Sequence, residues 1–177
     1  MLSSSKYARI ERERRFLLHQ FPSGAKVVRI RRITDRYISD TGLRLREQSD
    51  DGGTTIFKLT QKVPVRAEGA QQGFITSMYL AKDEFCVLAQ LPARILSKSR
   101  YSVPPFGIDV FEGTLEGLVL AEAEFDSPSA ADALTLPSFI RREVTADDRF
   151  TGGQLVRAPR RDVQTWLLEY GIRLGPA

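Results

Sequence analysis

Ala8-Arg-Ile-Glu-Arg-Glu-Arg-Arg-Phe16 is the stretch on which the reading of the chain turns. In an extended strand alternate side chains share a face. Glu11, Glu13 and Arg15 therefore stand together, while Ile10 and Phe16 lie on the opposite face with Arg12 and Arg14 between them. The same period of two recurs downstream. Leu43-Arg-Leu-Arg46 pairs Arg44 with Arg46, Phe57-Lys-Leu-Thr-Gln-Lys62 aligns Lys58, Thr60 and Lys62, and Ser97-Lys-Ser-Arg100 pairs Lys98 with Arg100. Leu120-Ala-Glu-Ala-Glu124 pairs Glu122 with Glu124, with Ala121, Ala123 and Phe125 opposite. Like charges side by side on a strand repel by a few tenths of a kcal/mol or more. One such strand is an ordinary solvated face of an antiparallel sheet. A repeated segregation of acidic from basic strands is different, because solvated faces mix signs and carry Ser, Thr and Gln as well. The segregation suits a polyanion gripped by the basic strands and a cation held by the acidic ones.

Composition bounds the alternatives. The chain has 177 residues, 42% of them hydrophobic, enough for one domain over residues 1–177 with a sizeable core. The net charge of +4 suits an anionic ligand without demanding nucleic acid. A single cysteine, Cys86, excludes an internal disulfide and fits a reducing cytoplasm. It sits beside Phe85, Val87 and Leu88 and reads as a buried structural thiol. His19, the one histidine, leads into Gln-Phe-Pro-Ser-Gly and reads as a loop residue, so a histidine-rich zinc site is excluded. No apolar run is long enough to span a membrane and the N-terminus has no signal-like apolar segment, so a cytoplasmic protein is expected.

Turn residues and periodicity divide the chain. Strands are expected over 8–16, 25–38, 43–48, 54–63, 74–80, 93–103, 107–112 and 118–125. Ser49-Asp-Asp-Gly-Gly53 is a hairpin signal, and 66–73 reads as a polar loop. Helical spacing marks 82–91 and 160–170, a short helix is expected over 127–134, and a further short element over 139–145. Trp166 and Tyr170 read as packing the last helix onto the sheet, and Arg29, Arg31 and Arg32 as a solvated strand face. The fold expected is α+β: an eight-stranded closed antiparallel β-barrel, or tunnel, with helices outside and a C-terminal helix. A solvent-bearing tunnel accommodates charged residues inside and apolar ones outside.

At this point the motifs resemble a known family. Glu11-x-Glu13-x-Arg15 resembles the ExExK signature of CYTH domains, the triphosphate tunnel metalloenzymes. Arg44-x-Arg46, Leu59-Thr-Gln-Lys62, Lys98-Ser-Arg-Tyr101, Asp109-Val-Phe-Glu-Gly113, Leu118-x-x-Ala-Glu-Ala-Glu124 and Glu143-Val-Thr-x-Asp-x-Arg149 follow in the family's order. The resemblance implies an eight-stranded tunnel that hydrolyses triphosphates with Mg²⁺ or Mn²⁺. It implies catalytic roles for Glu11, Glu13 and Arg15, and metal ligation by Glu11, Glu13, Asp109, Glu122 and Glu124. Phosphate contacts would come from Arg44, Arg46, Lys58, Lys62, Lys98 and Arg100. Inorganic tripolyphosphate is the default substrate, with nucleoside and thiamine triphosphates as alternatives. The implied partner is therefore a small triphosphate rather than a membrane or nucleic acid, and a homodimer is allowed.

The chain departs from the family's pattern in three places. Arg15 stands where the family has Lys, and Arg keeps the charge but does not give up a proton. Phe74-Ile-Thr-Ser-Met-Tyr-Leu80 offers only Thr76 and Ser77 where many relatives carry carboxylates, and Gly107 stands where they often have Glu. These changes favour a non-catalytic polyphosphate or nucleotide binder as the runner-up. An adenylate cyclase would need a pocket for adenine and ribose, which no motif here supplies. A nucleic-acid module would need exposed aromatics interleaved with Lys and Arg.

Overall fold

The computed structural model describes residues 7–65 and 71–174. Its strands are β1 (Arg9–Leu18), β2 (Arg29–Ile38), β3 (Leu43–Asp50), β4 (Thr55–Val65), β5 (Gln71–Leu80), β6 (Ala93–Val103), β7 (Phe106–Phe111), β8 (Val119–Glu124) and the short β9 (Arg142–Glu143). The helices are α1 (Lys82–Leu88), α2 (Pro128–Asp132), α3 (Gly152–Leu155) and α4 (Arg160–Glu169). Strand order runs β5-β4-β3-β2-β6-β7-β8-β1, every pair is antiparallel, and β5 pairs back onto β1 to close the barrel. Closure removes the exposed edges an open sheet would present. The expected eight-stranded α+β barrel is present.

β1 is the seam. Its first half, from Arg9 to Glu13, pairs with β5; its second half, from Glu13 to Leu18, pairs with β8. Beyond the end of β5, Phe16 and Leu17 pair with β9. Short hairpins join β2 to β3, β3 to β4 and β6 to β7. At the β3–β4 turn Asp50 accepts from the Thr54 amide at 2.8 Å, and Gly53 takes a φ of 82°, the Asp-and-Gly chemistry that tight turns require. Two expectations need correction. The run expected over 25–38 becomes a strand only at Arg29, and residues 71–73 of the expected loop are strand, while 66–70 lie outside the described residues.

Each face of the sheet builds its own core. Outward positions of β1, β7 and β8 (Phe16, Leu18, Phe106, Ile108, Val119, Ala121 and Ala123) form one cluster. It is covered by Phe125, Leu134, Phe139 and Ile140 from the segment that contains α2. Ser127 caps α2 by accepting from the Ala130 amide. The second core occupies one end of the barrel itself. There the inward positions change from charged to apolar: Leu17, Leu96, Phe111, Leu118 and Leu120 meet Phe150, Leu155, Val163, Leu167 and Ile172 of the C-terminal segment. α3 and α4 therefore close that end of the tunnel, and Trp166 and Tyr170 stand edge-on to the Phe150 ring within this packing. Gly152, in the first turn of α3, makes the approach possible, since a Cβ there would collide with the Tyr37 hydroxyl.

Cys86 is exposed, not buried as its neighbours in sequence imply. The cause is the length of α1: it ends at Leu88 and buries none of its residues, touching the barrel through Phe85, whose ring lies 4.6 Å from that of Phe57. His19 is exposed just past β1, as expected. No described helix is long and apolar enough to cross a membrane.

The plug gives a direct test. Leu167 is 1% exposed and its neighbour Leu168 is 58% exposed. Leu167→Ala should cost about 2–5 kcal/mol, as truncation of a packed core leucine does. Leu168→Ala should stay within about 0.5 kcal/mol. Urea unfolding of the two variants checks the assignment of α4 as part of the core.

Candidate active site

Strand register gathers the charged motifs on the inner wall. Across β1–β8, Arg15 lies opposite Glu122 and Glu13 opposite Glu124. Across β6–β7, Arg100 lies opposite Asp109. Across β3–β4, Arg46 lies opposite Lys58 and Arg44 opposite Thr60. The period-two reading of these segments is therefore the inward period of a closed sheet, and the residues expected to bind phosphate share one enclosure with most of the carboxylates expected to bind metal.

Around β1 the acidic and basic groups interlock. Glu13 and Arg15 are both buried and form an ion pair, and Arg15 Nε lies 3.5 Å from a Glu122 oxygen. Burial raises the proton affinity of Glu13 above the ordinary carboxylate range, and Glu122 adds to the rise by repulsion, while Lys62 and Arg15 oppose it. Glu122 behaves in the opposite sense: burial would raise it, yet Arg100, Lys98 and Arg15 hold it well below the usual range. Two neighbouring carboxylates with proton affinities pushed apart are a common feature of catalytic sites. Glu11 faces Lys62 at 2.7 Å nearer solvent, and Glu124 is exposed.

Across the barrel the pairing is tighter. Asp109 is fully buried and takes Lys98 on one oxygen and Arg100 on both, with the Arg100 bonds at 2.6 Å. Arg100 also reaches Glu122. It crosses over Gly107 to do so, because a Cβ at that position would lie 3.3 Å from Arg100 Cδ. Gly107 thus leaves the space that Arg100 uses. Burial and the neighbouring Arg100 lower the proton affinity of Lys98 against the pull of Asp109.

Asp35, Tyr37 and Arg31 also line the wall and were not among the expected site residues. Asp35 is fully buried and accepts from Arg46 Nε and Nη2, both at 2.7 Å, with Arg44 Nε at 3.6 Å. Against the effect of burial, Arg44 and Arg46 hold its pKa down to about 2. Burial and Asp35 push the Tyr37 hydroxyl up to about 12. Arg31, read from sequence as solvated, turns inward and donates to Ser102 Oγ at 2.7 Å. The available signal was parity: Arg31, Ile33, Asp35 and Tyr37 alternate. An apolar Ile within that series hid the face. Of the six expected phosphate contacts, Lys58 has no carboxylate in ion-pairing distance among the described residues. Burial together with Arg46 and Arg44 lowers its pKa to about 8. Thr60 and Ser77 share a hydrogen bond at 3.0 Å on the adjoining wall.

The Glu143-to-Arg149 motif works from outside the tunnel. Thr145 Oγ1 accepts from the Arg15 amide at 3.0 Å, and the Val144 amide donates to the Arg15 carbonyl at 2.8 Å. Arg14 holds Glu143 through Nε and Nη2. Asp147, Arg149, Glu169 and Tyr170 then tie this turn to α4. The motif fixes the backbone of β1 at the residue whose side chain enters the charged centre. A surface cleft between this turn and Tyr170 has its polar groups already paired with one another.

Among the described residues no three His, Cys, Asp or Glu side chains are gathered so as to hold a metal ion. Asp109 is engaged by two cations, whereas Glu13 and Glu122 repel one another beside Arg15.

No family model matches the chain. Over 148 residues it is 34% identical to an inorganic triphosphatase of Nitrosomonas europaea, a match spanning 79% of this chain and 92% of that protein. Two crystal structures of one protein, described in one case as hypothetical and in the other as an inorganic triphosphatase, align with TM-scores of 0.55 and 0.54. Their identities are 29% and 28%, and the alignments cover 84% of this chain and 99% and 95% of theirs. In sequence and in architecture, the chain belongs to the family of that inorganic triphosphatase.

Proposed function

We propose that this protein is a CYTH-type tunnel hydrolase that cleaves inorganic tripolyphosphate with the help of Mg²⁺ or Mn²⁺. The observation that carries the reading is the lining of the closed barrel, where Arg44, Arg46, Lys58, Lys62, Lys98 and Arg100 face one space together with Glu13 and Glu122. The curated relative, named an inorganic triphosphatase, supports the choice of substrate.

Hydrolysis of a phosphoric anhydride asks a protein mainly to position groups and neutralise charge, so a protein nucleophile is not required. The arginines offer planar forks to phosphate oxygens and the lysines act as point charges. Arg15 is fixed by Glu13 and Glu122 and never gives up its proton, so its part is electrostatic: it offsets negative charge beside the scissile phosphates. Ser77 is the fifth strand's neutral contribution in place of carboxylates, and with Thr60 of β4 it extends the wall with hydroxyls.

The donor set suits a hard divalent cation. Glu13 and Glu122 are oxygen donors whose mutual repulsion such an ion would relieve, and Glu11 and Glu124 continue the same faces toward solvent. Mg²⁺ keeps most of its waters and is shared between one or two carboxylates and substrate phosphates, so a cage of protein ligands is not needed. Glu13 and Glu122 would lead the set, with Glu11, Glu124 and Asp109 as the further acids of the motif. When bound, the ion would neutralise phosphate charge and acidify a coordinated water.

The test is phosphate release from tripolyphosphate and from ATP, with Mg²⁺ and then Mn²⁺. Glu13→Gln should lower turnover on the order of 100-fold or more while leaving the circular dichroism spectrum unchanged. Metal-dependent tripolyphosphate binding without turnover in the wild type would replace hydrolysis by the binder reading, which the Arg at position 15 favours.

Lys58 gives a second prediction. With its pKa near 8 it loses charge as pH rises through that value. KM for tripolyphosphate should climb by about tenfold between pH 7 and 9, as expected when roughly nine-tenths of a binding cation is deprotonated. Lys58→Arg, which stays charged, should flatten that climb. Stability runs the other way: a lysine with a lowered folded-state pKa penalises folding at neutral pH, and the penalty fades as pH rises from about 8 to about 10. Steady-state kinetics and thermal unfolding across this range check the two opposite signs.

A further inference from the structure

Asp35 has no role in the reaction as read above, yet it sits among the groups that would grip phosphate. It lies on the inward face of β2, in register with Arg46 of β3 and with Leu96 of β6. Leu96 belongs to the apolar cluster that fills the closed end, so Asp35 marks the bottom of the charged part of the tunnel. Its two oxygens accept from Nε and Nη2 of Arg46, both at 2.7 Å. This two-point fork is the geometry in which arginine also binds phosphate. Arg44 Nε stands 3.6 Å from the same Asp35 oxygen that takes Arg46 Nε, an ion pair too long for a hydrogen bond. Lys58 follows Arg46 across the next strand pair, without a carboxylate of its own. One fixed anion thus faces two guanidiniums and an ammonium, and it holds one guanidinium by a tight fork and the other only by a longer ion pair.

We propose that Asp35 is a built-in stand-in for a phosphate group. In the empty tunnel it holds Arg44 and Arg46 in a phosphate-binding posture. When substrate enters, it shares them with the terminal phosphate, and by competing for them it weakens the hold on phosphate products. Asp35 is a positioning residue that trades affinity for release. The proposal rests on the reading of the tunnel as a triphosphate site. Its distinctive consequence is that removing this carboxylate tightens anion binding, whereas loss of a merely structural contact would loosen it.

The experiment compares wild type with Asp35→Asn. Binding of sodium tripolyphosphate and of pyrophosphate is measured by calorimetry in the presence of a chelator, and inhibition of turnover by pyrophosphate is measured alongside. The variant is expected to bind both anions about tenfold more tightly, with KM and the pyrophosphate inhibition constant falling together and kcat reduced. Unchanged or weaker binding overturns the proposal. If the variant folds only when purified in pyrophosphate, the anion has replaced the carboxylate and the proposal stands. If it is unfolded with and without pyrophosphate, Asp35 is a structural element alone and the proposal falls. Wild-type protein that binds neither anion, with chelator or with Mg²⁺ in its place, defeats the tunnel reading itself, whereas wild-type binding with no gain in the variant defeats only the role of Asp35.

Discussion

Burying charge is the constraint on which the rest of this structure depends. An ion taken out of water is tolerated only when paired and hydrogen-bonded. Here Asp109 sits between Lys98 and Arg100, Asp35 between Arg44 and Arg46, and Arg15 between Glu13 and Glu122. Each trio needs side chains from different strands at one level of the barrel, so the pairs work only if the strand registers are held. Register in turn is held by the outer cluster around Phe16, Phe106 and Ile108, and by closure of β5 onto β1. Apolar packing outside the wall therefore makes the charged lining inside it possible.

The two ends of the barrel divide the labour. Where the inward positions become Leu17, Leu96, Phe111 and Leu120, the C-terminal helices complete an ordinary apolar core. Toward the other end Glu11, Lys62 and Glu124 reach solvent. Stability is concentrated in the plug and the outer cluster, and the lining is free to carry groups that disfavour folding, as functional sites commonly do. The motif from Glu143 to Arg149 joins the two regions, since it fixes the β1 backbone at Arg15 and is itself tied to α4 through Arg149 and Glu169.

Much of this was legible in the sequence because a strand reports its face through a period of two. Glu11, Glu13 and Arg15, the paired arginines and lysines, and Glu122 with Glu124 all announced an interior that is charged. Asp35 escaped because its neighbours of the same parity are Ile33 and Tyr37, which imitate an apolar face, and because one carboxylate among Arg29, Arg31, Arg32 and Arg36 looks like surface charge. Cys86 misled for the opposite reason: Phe85, Val87 and Leu88 look like core, but α1 is too short to bury them. Which end the last helix covers was not legible either, since that depends on where inward Leu17, Leu96, Phe111 and Leu120 of four different strands meet.

The balance of charge within the wall explains why the tunnel suits an anion. The carboxylates Asp35, Asp109, Glu13 and Glu122 keep the cations in place but do not match them. Lys58 lacks a carboxylate partner among the described residues, and Arg44 shares Asp35 with Arg46 at a longer distance. If the cations were fully neutralised, binding a polyphosphate would mean breaking as many ion pairs as it made. Without any internal carboxylates, the cations would repel one another and lose the orientation that forked recognition requires. A lining that is mostly paired and slightly short of anions lies between these limits. It keeps its cations oriented, and the charge it lacks is of the kind a phosphate chain brings.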